Sequence, residues 1–197
     1  MELKEHKIKN ARAESGYYYN YTLQNISAKD IRFKNLAGRM TGSQYDDPNR
    51  PKHELVVWID DPEILKAFKK LHVPIGERVN SDTGESRFSV RFKAYPKMKW
   101  SPIAKSERPY PKVIIRDGET MTRLKIENFS EFDRTIAKSY DITFYTYENT
   151  KQPGTFIPTI TEAFLTVDEE AGQFDKSYLD EMYGYVDEPD EEAVPFD

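Results

Sequence analysis

Hydrophobic and polar positions alternate along this chain in short stretches separated by turn residues. Residues 87–95 show the pattern most plainly. Phe88, Val90, Phe92 and Ala94 fall on one side of an extended chain, and Arg87, Ser89, Arg91, Lys93 and Tyr95 fall on the other. Ile31-Arg32-Phe33-Lys34 alternates in the same way, so Arg32 and Lys34 are expected to share a polar face. Further strands are predicted at 17–23, 53–59 (HELVVWI), 112–115, 142–147 and 159–167. Gly38 marks a bulge or a sharp bend, and 41–51, 74–85 and 96–110 read as loops.

Two stretches switch to helical spacing. Asp61-Pro62 is an N-cap followed by proline at the first helical position, and Ile64, Leu65, Phe68 and Leu71 then recur as a core-facing stripe. A short helix is predicted over 129–137, with Ser130 as its cap. Six or seven short strands, one or two helices and no regular β–α alternation define a mainly β domain, a small barrel or sandwich.

Composition sharpens this picture. Aromatic residues make up 13% of the 197, with 13 Tyr and 11 Phe, as suits a β-rich domain or a surface that stacks planar ligands. With no cysteine there is no disulfide, thiolate metal site or Cys nucleophile, and a reducing cytosol fits. The charged N-terminus has no signal-peptide pattern, and the longest apolar run, Leu55 to Ile59, is too short for a bilayer.

The net charge of −5 conceals a division. Residues 168–197 hold twelve acids against the single Lys176, while the rest holds 28 bases against 22 acids. A basic body with an acidic end points to a nucleic-acid-binding domain carrying a tail. The expected organisation is a flexible arm at 1–15, a binding domain at 16–167 and an acidic tail at 168–197. Phe174, Tyr178, Leu179 and Met182 place a short amphipathic helix at 174–185.

The candidate chemistry is that of a single-strand binder, which needs positive charge for phosphates and flat rings for bases. Arg87, Arg91, Lys93 and Tyr95 supply both, and Lys97, Lys99 and Trp100 extend the set into the following loop. Arg32, Lys34, Arg39, Arg50 and Lys52 add bases around the earlier strand and loop. Tyr145 and Tyr147 share one strand face as stacking platforms, although core packing is the commoner fate of a tyrosine. Trp58, flanked by Val56 and Val57, is expected in the core. A basic strand face is also what any solvated strand can present.

The ending DEPDEEAVPFD carries Asp187, Glu188, Asp190, Glu191 and Glu192, with Phe196 as an apolar anchor. It is too charged to fold alone and suits either a partner's pocket or the protein's own basic groove. His6, His53 and His72 lack metal-ligand spacing, and no phosphate-binding loop is present. Asp60-Asp61 is better explained by capping than by a metal. No catalytic residue, metal or cofactor is assigned.

The order of these features resembles that of bacteriophage single-stranded-DNA-binding proteins. Asn35-Leu36-Ala37-Gly38-Arg39 follows a basic and apolar strand, a loop with Arg50 and Lys52 leads into HELVVWI, and Asp61-Pro62 opens a helix. A strand ending at Lys93-Ala94-Tyr95, a lysine-rich loop and Pro-Lys-Val-Ile-Ile then follow. The resemblance covers roughly 28–167, with the tail as a second feature. Leu36 stands where the family's turn has an aromatic, and His72-Val73-Pro74-Ile75-Gly76 replaces a Gly-Trp-like turn.

The resemblance implies an OB-fold-like five-stranded β-barrel with additional strands and one or two short helices. It implies coating of single-stranded DNA during phage DNA replication, recombination and repair, in the cytoplasm of an infected bacterium. Its groove would include Arg32, Lys34, Arg39, Lys93, Tyr95 and Lys97. Its tail would recruit replication proteins such as a polymerase, helicase or primase; a homodimer is left open. Two other classes stay in view: a scaffold protein that uses the tail to recruit a partner, and a metal-dependent nuclease. The first leaves the basic strand unexplained, and the second lacks a cluster of acids with a lysine.

Overall fold

The computed structural model describes residues 1–9, 17–42, 47–49, 51–81, 83–95, 99–101, 106–108 and 110–168. The tail from 169 onward, with the helix expected at 174–185, lies outside them, as do Arg50 and Lys97.

The protein is mainly β. Strands β1 (Glu2–Lys9) and β2 (Tyr17–Ser27) form an antiparallel pair, and a 3-10 turn at Ala28–Asp30 leads into β3 (Ile31–Asn35). Next come β4 (Glu54–Trp58), helix α1 (Pro62–Lys70), β5 (Ile75–Val79) and β6 (Ser86–Lys93). The short strands β7 (Lys99–Ser101) and β8 (Ser106–Arg108) pair with each other. The chain continues through β9 (Lys112–Asp117), β10 (Thr120–Leu124), helix α2 (Phe129–Arg134), β11 (Ala137–Glu148) and β12 (Phe156–Val167).

Pairing makes this a barrel. The antiparallel ladder runs from β3 to β4 to β6, crosses to β12 in parallel at Lys93↔Thr159, and returns through β11 to β2. Because β2 and β3 are separated only by the 3-10 turn, the path starts and ends on one bent segment. This is the partly open five-stranded barrel of the OB class. Where β6 and β12 part, β5 pairs with the edge of β6, and β9, itself paired with β10, takes the edge of β12.

One core fills the barrel. Asp61 caps α1 through Glu63 N at 2.8 Å and Ile64 N at 3.3 Å, with Pro62 in the first turn, as its sequence indicates. The helix thereby plants Phe68 against Phe92 and Phe144, both with ring centroids 5.9 Å away. Tyr21 stacks on the same Phe144. At the other side, Phe129 and Phe132 of α2 are fully buried and Phe132 packs on Tyr140.

Several expectations are corrected. Residues 2–9, read as part of a flexible arm, form an edge strand, and its many charges keep that edge soluble. Within 74–85, read as a loop, β5 pairs with β6, and β7 and β8 interrupt the loop read at 96–110. Strand β10 was not foreseen, although Asp117-Gly118 carries the hairpin signal and Gly118 adopts φ 55°. Helix α2 starts at Phe129, directly after a 3-10 turn at Ile126–Asn128, so Ser130 lies inside its first turn and is not its N-cap; Asn128 holds that position without a side-chain capping bond.

Lys34 is the largest correction. A β-bulge between Ile31 and Phe33 breaks the alternation, so Lys34 leaves the face that Arg32 occupies and is buried. Its Nζ donates to Thr135 O at 2.9 Å, Tyr140 Oη at 3.0 Å and Phe132 O at 3.4 Å. It therefore ties β3 to α2 and β11 across the barrel's seam and is no groove residue.

Candidate nucleic-acid interface

The alternation of β6 places Val90, Phe92 and Ala94 in the core and Arg87, Ser89, Arg91 and Lys93 on the outer face. Cross-strand register extends that face. Val56 lies opposite Arg91 and Trp58 opposite Ser89 on β4, and Arg78 lies opposite Arg87 on β5. Arg32 reaches in from β3 and donates to Ser89 Oγ at 3.3 Å.

Trp58 is the centre of this surface, not a core residue. The Arg32 guanidinium lies 4.8 Å from its ring centroid and that of Arg87 lies 4.7 Å away. HELVVWI is apolar at nearly every position, so its outward side could not be read from alternation. Arg78 was also missed, because it lies in the stretch read as a loop.

Five bases, Arg32, Arg78, Arg87, Arg91 and Lys93, share this face. Two acids accompany them. Asp60 accepts from Arg87 Nη2 at 2.8 Å and Nε at 3.3 Å, and the buried Glu54 lies 3.5 Å from Arg91. Arg91 nevertheless leaves 60% of its side chain in solvent. Partial burial, then the nearby charges of Arg78 and Arg91, push the Arg32 guanidinium below its ordinary value.

At one end the face meets tyrosines. Tyr95 follows β6, and its hydroxyl lies 2.6 Å from that of Tyr147 on β11. Tyr145 is beside Tyr147, with ring centroids 6.4 Å apart. One cross-strand row, Glu54–Lys93–Thr159–Tyr145, spans β4, β6, β12 and β11. This register brings Lys93 and Tyr145, from distant segments, into one cross-strand row through the buried Thr159.

The loop between β3 and β4 borders the same row through Asn35, the partner of Glu54. Asn35 holds both ends of this loop, accepting from Arg39 N at 2.8 Å and donating to Arg39 O at 2.9 Å and Lys52 O at 3.1 Å. Gly38 adopts φ 70°, and a Cβ there would collide with the His53 ring. The buried Asp133 accepts from Leu36 N at 2.8 Å and Ala37 N at 3.0 Å, and Arg39 lies 3.9 Å from it. Burial pushes the Asp133 carboxyl up, against the lowering effect of those two amides and of Arg39 and Lys34. Arg39 and the exposed Lys52 are held beside the surface, separate from the cluster around Trp58. Lys99 and Trp100 stand on β7.

Among the described residues, no group of three His, Asp or Glu is placed to hold a metal, and no helix is long and apolar enough to cross a membrane. Fold and surface together define an OB-type barrel with a basic, aromatic outer face. Neither a protein-family model nor a curated protein matches the chain. Among solved structures, the chain is similar to gp2.5, a single-stranded DNA binding protein encoded by bacteriophage T7. The identity is 12% and the TM-score 0.41, with 79% of this chain and 97% of that chain covered.

Proposed function

We propose that this protein binds single-stranded DNA without sequence specificity, through the outer face of β3, β4, β5 and β6. The observation that carries the reading is Trp58 flanked by two guanidiniums, with Arg78 and Arg91 beside them. A flat ring within a field of arginines serves bases and phosphates together. Strands two and three of an OB barrel, here β4 and β6, are the face on which this class of fold holds oligonucleotides. The donors point to phosphate and the rings to any base, so no preference for sequence is expected.

The finer reading follows from the resemblance noted in the sequence. The protein coats single strands during phage DNA replication, recombination and repair in the infected cell, and it is not an enzyme. Its acidic tail, ending in Glu191, Glu192 and Phe196, recruits replication proteins and competes with DNA for the basic face.

The test is a fluorescence titration of the full chain, and of a chain ending at Val186, with oligo-dT at several salt concentrations. If about five phosphates are neutralised, log K falls with log salt at a slope of roughly −3.5. The shortened chain binds more tightly. Failure of both forms to bind at low salt would overturn the proposal.

A further inference from the structure

A second feature of the surface lies beyond the basic face. Strands β2 and β11 pair from Ser27↔Ser139 to Tyr21↔Phe144 and then part. Past that point Tyr17 to Asn20 run on against β1, and Tyr145 to Glu148 run on against β12. The gap is a cleft of about 370 Å³, lined by Tyr18, Tyr19 and Asn20 on one wall and by Tyr145, Thr146 and Thr161 near the other.

We propose that this cleft takes an unstacked nucleobase from the strand whose phosphates lie along β6. The idea rests on the reading of that basic face as the phosphate track. The lining chemistry selects the occupant. It offers flat rings from both strands, one side-chain amide and two threonine hydroxyls beside the phenolic ones, and no lining residue is charged. No lining side chain can neutralise a phosphate, and Lys7 beside it lies over the Tyr17 ring, 4.1 Å from its centroid; a neutral planar heterocycle with donors and acceptors on its edge finds partners of both kinds in the lining.

Exposure supports the same conclusion. Tyr18 is 42% and Tyr19 39% exposed, so these rings leave in water an area that a purely structural strand would bury. The position is also right. Lys93, Thr159 and Tyr145 are successive cross-strand partners, so the basic face and the cleft are two strand spacings apart, roughly 10 Å.

The experiment compares oligo-dT with an abasic oligonucleotide of equal length, which has the phosphates without the bases. The full chain is used, with Tyr18→Ala, Tyr145→Ala, Tyr145→Phe and Arg91→Ala. Both Tyr-to-Ala changes should weaken dT binding by roughly 5- to 100-fold, leave abasic binding unaltered and keep the salt slope. Tyr145→Phe should bind like the parent, because the ring is what stacks. Tyr18, at the exposed end of β2, guards against a folding artefact at the more buried Tyr145.

If Arg91→Ala loses affinity while both Tyr-to-Ala variants keep it, the base site is overturned and the phosphate track stands. Equal losses on dT and abasic strands also overturn it. A change in sedimentation mass for Tyr18→Ala, with dT affinity unaltered, gives the cleft to a second copy of the chain and overturns it too. Binding of neither oligonucleotide by the parent protein overturns the track and the base site together.

Discussion

Arg78 on β5 and Arg87 on β6 are directly opposed cross-strand partners. Like charges in that arrangement cost roughly 0.2–1 kcal/mol relative to a neutral pair. Arg87 has Asp60 to offset the repulsion. On the proposed function, a bound polyanion would offset the repulsion that remains.

Arg78→Ala should therefore separate stability from binding. The free protein should be as stable as the parent or slightly more so, by up to about 1 kcal/mol. Affinity for single strands should fall on all sequences alike, and the salt slope should lessen by roughly 0.7 if one phosphate contact is lost. Thermal melts and titrations at three salt concentrations check both. A sequence-dependent loss would argue against a simple phosphate contact.

Trp58 gives the second expectation. Trp58→Leu keeps an apolar side chain on β4 but removes the ring shared by Arg32 and Arg87. Single-strand affinity should fall by roughly 1–3 kcal/mol, the worth of one stacked base. Trp58→Phe should recover much of it. The parent's tryptophan fluorescence should be quenched on binding, and the Trp58→Leu chain should lose that part of the signal. Unchanged affinity in Trp58→Leu would move the bases elsewhere on the surface.

Most of the barrel was legible because its strongest signals are local. Phe88 to Ala94 alternate cleanly, and Asp61-Pro62 announces the helix that seals the core. What escaped depends on neighbours in space. The bulge that turns Lys34 inward is a property of the pairing of β3 with β4, and Ile31 to Lys34 alternate well enough to conceal it. In HELVVWI nothing distinguishes the inward Leu55 and Val57 from the outward Val56 and Trp58 until the register with β6 is known. The clustering of Tyr95 with Tyr147 joins residues 52 positions apart in the sequence and leaves no local trace. By contrast, Asp117-Gly118 was a readable signal for the hairpin of β9 and β10.

Lys34 gives a pH dependence with a definite sign. Burial lowers its ammonium from the ordinary 10.5 to about 8, with Asp133 opposing the shift and Arg39 adding to it. Between about pH 8 and 10.5 the unfolded chain holds a proton that the folded protein has released, so stability rises with pH across that window. It is lost again as pH falls through about 8. The full span is worth about 3 kcal/mol. Tyr21, raised by burial and by Glu5, works the other way: its stabilisation is present below pH 10 and lost as pH climbs through its raised value. Denaturant titrations of the parent and Lys34→Met between pH 7 and 10.5 cancel the Tyr21 contribution. The parent should gain stability relative to the variant as pH rises. Parallel curves would mean that Lys34 titrates as an exposed lysine does.

Thr159 closes the set. It stands between Lys93 and Tyr145 in the row that crosses the surface, yet its side chain is almost wholly buried. Among the described residues its Oγ1 is the buried side-chain oxygen without a hydrogen-bond partner. Burying a hydroxyl without a partner costs roughly 1–3 kcal/mol, and valine has nearly the same shape without that group. Thr159→Val should raise stability by about 1 kcal/mol, measured as a shift in denaturant midpoint at constant slope. The β-branched replacement keeps the strand conformation, so the spacing of Lys93 and Tyr145 should hold and oligo-dT affinity should not change. A loss of affinity with stability raised would instead mean that the hydroxyl turns outward to a bound strand.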